Sequence, residues 1–161
     1  MQVNIKRILC PVDFSPNSEH ALLYALAFAQ AQHAELELLH VIEFPLYTGY
    51  DFPTPVDAME KATAATKQHL EAVAADLSKQ HTPVRWYVET GFVFLKIIEV
   101  ARTHDIDLIV MGTHGRTALA HVLMGSVAEK VVRKAPCPVL TVKHPEHEFV
   151  MPCPRSAALP P

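Results

Sequence analysis

Glycine is scarce in this chain, five among 161 residues, so a place where glycines gather carries information. Cysteine is scarcer still, with only Cys10, Cys137 and Cys153. Three thiols cannot all pair with one another and no Cys-x-x-Cys occurs, which argues against a disulfide scaffold and a thioredoxin-like redox motif. An odd, sparse set fits a reducing compartment in which thiols serve as small apolar fillers. An excess of positive charge is also missing. Lys and Arg number 14 against 17 Asp and Glu, a net charge of -3 with no basic block. Neither nucleic acid nor an anionic membrane finds an electrostatic footprint in that pattern. No apolar run approaches the ~20 residues that span a bilayer. The opening Met1-Gln2-Val3-Asn4-Ile5-Lys6-Arg7 lacks the apolar core and cleavage site of a secretion signal. The expectation is therefore a cytoplasmic protein with no nucleic-acid or membrane partner. It has one domain, since 50% apolar residues suffice for a sizeable core at this length.

Several chemical signatures are absent as well. No Gly-x-x-x-x-Gly-Lys-Ser/Thr occurs, so no Walker-type loop is present, and no Gly-x-Gly-x-x-Gly follows the first apolar run. There is no Gly-x-Ser-x-Gly elbow and no His-Glu-x-x-His. Only Asp13 stands where a phosphoryl-transfer receiver would cluster aspartates. His144, His147 and Cys153 fall among scattered prolines, a poor setting for a metal site. No catalytic set emerges.

What is there is an alternation of strand and helix periodicities. Ile5 to Val12 is a short apolar run that stops at Asp13-Phe14-Ser15-Pro16. Ser15 before Pro16 starts a helix: the hydroxyl caps a free N–H, and proline loses nothing at the first helical position. Leu22, Ala25, Leu26 and Ala29 carry that helix to about Gln32. Leu36–Ile42 reads as a second strand, and the stretch Phe44 to Val56, with three prolines, as a loop. A long helix from Asp57 to about Gln80 bears Met59, Ala62, Thr66, Leu70, Val73 and Leu77 on one stripe. A third strand Val84–Val88, a helix to about His104 and a fourth strand Asp107–Gly112 follow. A glycine-bearing loop to Gly125, a helix Val127–Lys134 and a fifth strand Pro138–Val142 complete the pattern. Short apolar strands alternating with helices predict an open, doubly wound, five-stranded parallel sheet with helices on both faces. Residues 1–143 form this domain, and the proline-rich residues 144–161 read as a mobile tail.

In such a sheet ligands bind beyond the carboxyl ends of the strands, where the strand order reverses. Three of the five glycines, Gly112, Gly115 and Gly125, fall after the fourth strand. A glycine there permits positive φ and lets a ligand approach the backbone closely. Gly125-Ser126 then opens a helix whose free N–H groups and dipole form an anion site. Together these are what a di- or triphosphate needs, with Arg116 and His114 able to add charge-assisted contacts. Structural readings stand beside this one. Ser126 and Glu129 form a Ser-x-x-Glu capping box that explains the serine without any ligand. Gly112 could only turn the chain, and Asp13 could either accept from a nucleoside or help cap the helix after it.

These residues carry a resemblance. Met111-Gly112-Thr113-His114-Gly115-Arg116, then Gly125-Ser126-Val127-Ala128-Glu129-Lys130-Val131, resembles the Gly-x2-Gly-x9-Gly-Ser/Thr pattern of universal stress proteins. Ile8-Leu9-Cys10-Pro11-Val12-Asp13-Phe14-Ser15 is similar to the family's opening strand, and Ala135-Pro136-Cys137-Pro138-Val139-Leu140 to its closing one. The resemblance runs from about Asn4 to Val142, and the glycine pattern is that of the ATP-binding branch. It implies strand order 3-2-1-4-5 and a homodimer joined through the fifth strand. It also implies Asp13 and Val41 at the adenine, with Pro11, Val12 and Met111 lining the nucleoside pocket. Gly112, Gly115, Gly125, Ser126 and Val127 would hold ribose and phosphates beside Arg116, with Mg²⁺ or Mn²⁺ on the phosphates. ATP would then act as a conformational ligand in the stress response, at most slowly hydrolysed. The alternative is a nucleotide-free dimeric interaction module whose glycines only shape the loop. A nucleotide-dependent transferase on the same fold is a third reading.

Overall fold

The computed structural model describes residues 3–43, 56–80, 82–115 and 124–143. Along them run β1 (Arg7–Pro11), α1 (Pro16–Gln32), β2 (Glu35–Ile42), α2 (Val56–Ser78) and β3 (Val84–Thr90). Then come α3 (Val93–Thr103), β4 (Leu108–Gly112), α4 (Ser126–Lys134) and β5 (Val139–Val142). The five strands form one sheet in the order β3-β2-β1-β4-β5, and every neighbouring pair is parallel. This is the doubly wound architecture that the alternating pattern predicts. The loop expected after Phe44, the motif residue Arg116 and the tail 144–161 lie outside the described residues.

Boundaries shift by a residue or two for reasons visible in the ladders. β3 runs on to Thr90, because β2 keeps pairing as far as Ile42↔Thr90. β2 begins at Glu35, whose N–H reaches the Lys6 carbonyl at 2.8 Å. The α1 signals behave as chemistry demands: Ser15 is the N-cap, its side chain accepts from the Ser18 N–H, and proline follows at once. The helix ends at Gln32, capped by His33 in a left-handed conformation at φ 53°. The α2 stripe is only half used, since Leu70, Val73 and Leu77 pack on the core while Ala62 is exposed.

Alternation along the strands sends side chains to two cores. Ile8, Cys10, Leu36, Leu38 and Val110 meet α1 and α2. Leu9, Leu39, Ile109 and Met111 meet α3 and α4. Ala21, Ala25 and Ala29 recur every four residues on the buried face of α1, so that this helix lies close against the middle of the sheet. Cys10 is fully enclosed, and burial pushes its thiol up to about 12. It is therefore a protonated apolar filler at neutral pH. Cys137 is free as well.

One core position breaks the apolar rule. Glu37 on β2 is 1% exposed among the residues facing α3. Its carboxylate accepts from His104 Nδ1 at 2.6 Å, and the Tyr87 ring lies edge-on to His104 at 4.8 Å. Burial, and then the nearby Glu37 charge, push the Tyr87 hydroxyl above its ordinary range. Removing one partner from such a pair strands the other without its donor. His104→Leu is expected to cost about 3 kcal/mol in urea unfolding, with the double substitution Glu37→Leu/His104→Leu recovering most of it. A loss in the double variant equal to the sum of the Glu37→Leu and His104→Leu losses would show that the pair is not coupled.

Candidate functional site

The strand order reverses between β1 and β4: the chain leaves β1 towards β2 and β3, then returns to the other side for β4 and β5. The site is therefore expected beyond the carboxyl ends of these two strands.

At the β1 end, paired register with β2 runs from Arg7↔Glu35 to Pro11↔Leu39 and stops there. The Val12 N–H makes a last bond to the Leu39 carbonyl at 2.9 Å. The Val12 carbonyl accepts instead from a side chain, His40 Nδ1, at 2.8 Å. Phe14 then takes the left-handed conformation, at φ 61°, which a bulky residue rarely adopts. Its ring lies flat on His40, with centroids 4.7 Å apart and planes at 16°, and meets the edge of His69 from α2 at 4.6 Å. That contact offsets the backbone strain and turns the chain sharply away from the sheet.

The turn decides what Asp13 does. Its Oδ1 accepts from the Ser15 N–H at 3.0 Å and from the Ser15 hydroxyl at 2.6 Å. The Ser18 hydroxyl accepts from the Asp13 N–H at 3.3 Å. One carboxylate oxygen thus serves the start of α1, as the capping alternative supposed. The other, Oδ2, faces the glycine loop: a Cβ added to Gly115 would lie 2.6 Å from it.

The remaining loop glycines are close approaches of the same kind. A Cβ on Gly112 would sit 3.0 Å from the Asn17 carbonyl oxygen in the first turn of α1. One on Gly125 would sit 3.1 Å from the Thr113 carbonyl oxygen, which also accepts from the Gly125 N–H at 2.8 Å. Among the described glycines, positive φ belongs to Gly91 alone, at 143°. The expectation that these loop glycines supply positive φ is corrected: they are small because backbone and carboxylate crowd them.

A second correction concerns the capping box. Ser126 is the first residue of α4, and Gly125 takes the N-cap position with extended φ −67° and ψ 153°. Among the described residues no side-chain hydrogen bond caps this terminus, and the Glu129 carboxylate pairs with Arg133 at 3.0 Å. The first turn of α4 therefore presents N–H groups at the loop edge, with the positive end of the helix dipole behind them.

Other expected residues fall around this edge. Val12 and Met111 are 7% and 6% exposed and fill opposite cores, while Val127 packs partly against the α3/α4 core. Pro11 ends β1 half-buried. Val41 is one strand away, yet its peptide group has a defined direction. In β2 the Glu35 N–H and Leu39 carbonyl bond towards β1, whereas the Leu36 N–H and Ile42 carbonyl bond towards β3. Strict alternation turns the Val41 N–H and C=O towards the space β1 leaves at Asp13.

Residue-by-residue reading missed three participants. Phe14 carries no sequence signal, because nothing local announces a left-handed phenylalanine. His40 had one: it is a polar residue on the Leu36–Leu38 face, where alternation asks for an apolar one. Thr113 is buried and its hydroxyl meets His114 Nδ1 at 3.1 Å.

Architecture and edge together define a doubly wound parallel α/β domain with a glycine-crowded loop and an uncapped helix N-terminus at its switch point. Within that class the chain belongs to the universal stress protein family, whose sequence signature matches residues 4–143. Universal stress protein MJ0577 of Methanocaldococcus jannaschii is 34% identical over 158 residues, 89% of this chain and 98% of that protein. Its structure covers 90% of this chain and 100% of its own, with a TM-score of 0.80. UspA from Lactobacillus plantarum is 27% identical, covers 88% and 99% of the two chains and gives a TM-score of 0.79. A universal stress protein solved in complex with cAMP is 25% identical over 87% and 98% of the chains, with a TM-score of 0.59.

Ser15 joins the helix cap to the Asp13 carboxylate, so Ser15→Ala removes both bonds at once. A loss of about 1–2 kcal/mol is expected from urea unfolding, on the scale of a lost N-cap. An unchanged midpoint would mean that solvent replaces both bonds.

Proposed function

We propose that this chain is an ATP-binding universal stress protein of the cytoplasm, working as a homodimer in which the nucleotide is a regulatory ligand. Asp13 and Val41 take the adenine end, with Pro11, Val12 and Met111 lining the nucleoside pocket. Gly112, Gly115, Gly125, Ser126 and Val127 hold ribose and phosphates, and Arg116 keeps its basic role on the strength of the motif. The carrying observation is the glycine loop itself, where a Cβ would crowd two backbone carbonyls and the Asp13 carboxylate, beside an α4 terminus that starts at a glycine. Such an edge offers backbone donors without side chains in the way, which suits a polyphosphate. The relative solved with cAMP, an adenine nucleotide, supports the ligand class.

Mg²⁺ or Mn²⁺ would be carried by the phosphates. Among the described residues no group of three His, Cys, Asp or Glu side chains is gathered to hold it. ATP acts by favouring one of two conformations, and that requires different affinity for the two. Hydrolysis, if any, is slow. Among the described residues no helix is long and apolar enough to cross a membrane.

The dimer forms through the fifth strand, Pro138–Val142. Among the described residues β5 is an edge strand that pairs with β4 alone. The Ile109 N–H bonds to the Pro138 carbonyl and the Thr113 N–H to the Val142 carbonyl, so the Val139 and Thr141 peptide groups face outward by alternation. A second copy related by a two-fold axis can complete that edge.

Three experiments test this reading. Protein purified without added nucleotide is denatured, and any released small molecule is identified by chromatography and mass. ATP with Mg²⁺ is then titrated calorimetrically into wild type and Gly115→Val. The valine side chain invades the space of the Asp13 carboxylate, and at least tenfold weaker binding is expected, a change of about 1.4 kcal/mol or more. No nucleotide and no titration heat across temperatures would leave the nucleotide-free interaction module. For the dimer, Thr141→Pro removes an outward N–H while sparing the bonds to β4. Light scattering is expected to show monomers with an unchanged circular dichroism spectrum; a persistent dimer would place the interface elsewhere.

A further inference from the structure

We infer that His40 is a positioning residue for the nucleobase: by capturing the Val12 carbonyl it stops β1 and β2 from pairing one rung further and keeps the Val41 peptide edge open. This rests on the nucleotide reading given above.

The argument begins with the ladder. In a parallel pair each N–H and C=O of a residue bonds to the two residues flanking its partner. The Val12 N–H already bonds to the Leu39 carbonyl. The next bond in sequence would run from the Val41 N–H to the Val12 carbonyl and would close a Val12↔His40 rung. The paired register ends one step earlier, at Pro11↔Leu39, and the Val12 carbonyl is held by His40 Nδ1 at 2.8 Å. A side chain from the very residue that would form the rung has taken its acceptor.

Two features fix the competing bond. His40 is 6% exposed, so its ring has little freedom, and a carbonyl acceptor requires the hydrogen on Nδ1. Phe14 stacks on the same ring at 4.7 Å, and its left-handed φ of 61° carries β1 away beyond Asp13. The stack and the hydrogen bond pull the chain the same way. Val41 is left with its N–H and C=O directed at the gap beside Asp13, a donor and acceptor pair of fixed spacing. Such a pair matches the edge of a purine carrying an exocyclic amine beside a ring nitrogen. A backbone phosphate cradle is indifferent to the base, so discrimination among nucleotides is placed at this edge.

Two variants separate the parts. In His40→Asn the amide N–H reaches about where Nδ1 lies and can still donate to Val12. In His40→Phe the ring and its stack on Phe14 remain, but the donor is lost. Amide hydrogen exchange of the nucleotide-free protein is read by NMR for all three chains. In His40→Phe the Val12 carbonyl becomes available to Val41, and exchange of the Val41 amide is expected to slow at least tenfold, while His40→Asn stays near wild type. A simple loss of structure would speed that exchange, so unchanged or faster exchange overturns the proposal.

Calorimetry then compares ATP, adenosine and inorganic triphosphate. His40→Phe is expected to weaken ATP and adenosine by a similar factor, about tenfold for one lost buried bond, and to leave triphosphate unaffected. Equal weakening of triphosphate would overturn a role at the base. Absence of binding by wild type would remove the nucleotide reading itself, and the exchange result would still decide whether His40 holds the strand end open.

Discussion

The point at which β1 stops pairing with β2 governs the whole carboxyl edge of the sheet. Had the ladder continued, Asp13 would extend the strand and Val41 would be consumed as a rung. Instead the Val12 carbonyl goes to His40, Phe14 turns through a left-handed conformation, and Asp13 is swung under the loop that follows β4. A strained residue in a protein persists only where its surroundings hold it. Here the holding contact is the Phe14–His40 stack, with His69 closing the far side. A single rung withheld from a parallel sheet thus turns the chain away from the Val41 peptide edge at the switch point without any change of topology.

Glycine acts at this edge through volume rather than torsion. Gly112 gives way to a carbonyl of α1, Gly115 to the Asp13 carboxylate and Gly125 to a carbonyl of its own loop. The three contacts draw together β1, α1, β4 and α4, elements that the chain order keeps apart. Ser15 and Ser18 extend the same tie into α1, since each hydroxyl both donates and accepts around Asp13. Asp13 thus takes the capping duty that the sequence offered as one of its two alternatives, and it uses a single oxygen for it. One oxygen starts a helix, and the other borders the loop.

The fold was legible because it depends on periodicity, and short apolar strands between helices admit few arrangements. Ser15-Pro16 announced the first helix to the residue. What the local pattern could not show is anything that depends on who meets whom. The Ser126-Glu129 spacing satisfies a capping box, but the extended conformation of Gly125 takes the cap position, and Glu129 turns to Arg133. The glycine cluster marked the switch-point edge, but of the two properties read into it only close approach is present, and positive φ belongs to none of its three members. Glu37 read as one more strand residue, since its partner His104 is 67 positions away and only the completed sheet brings them together.

The two ends of the sheet use their polar groups differently, and this difference supports placing the proposed nucleotide at the carboxyl end. At the amino end the Asp107 carboxylate accepts from the Lys6 and Arg7 N–H groups at 2.7 and 3.0 Å. The Arg7 guanidinium donates to the His104 carbonyl, and His104 donates to Glu37. These bonds tie β1, β2, the start of β4 and the end of α3 to one another. At the carboxyl end the traffic reverses. Among the described residues no side chain caps the α4 terminus, and the Val41 peptide faces the gap that β1 has left. Leaving backbone donors pointed outward costs stability where they go unsatisfied. The closed amino edge supplies rigidity away from this end, and under the proposed function that leaves the open edge able to keep its donors oriented for the nucleotide.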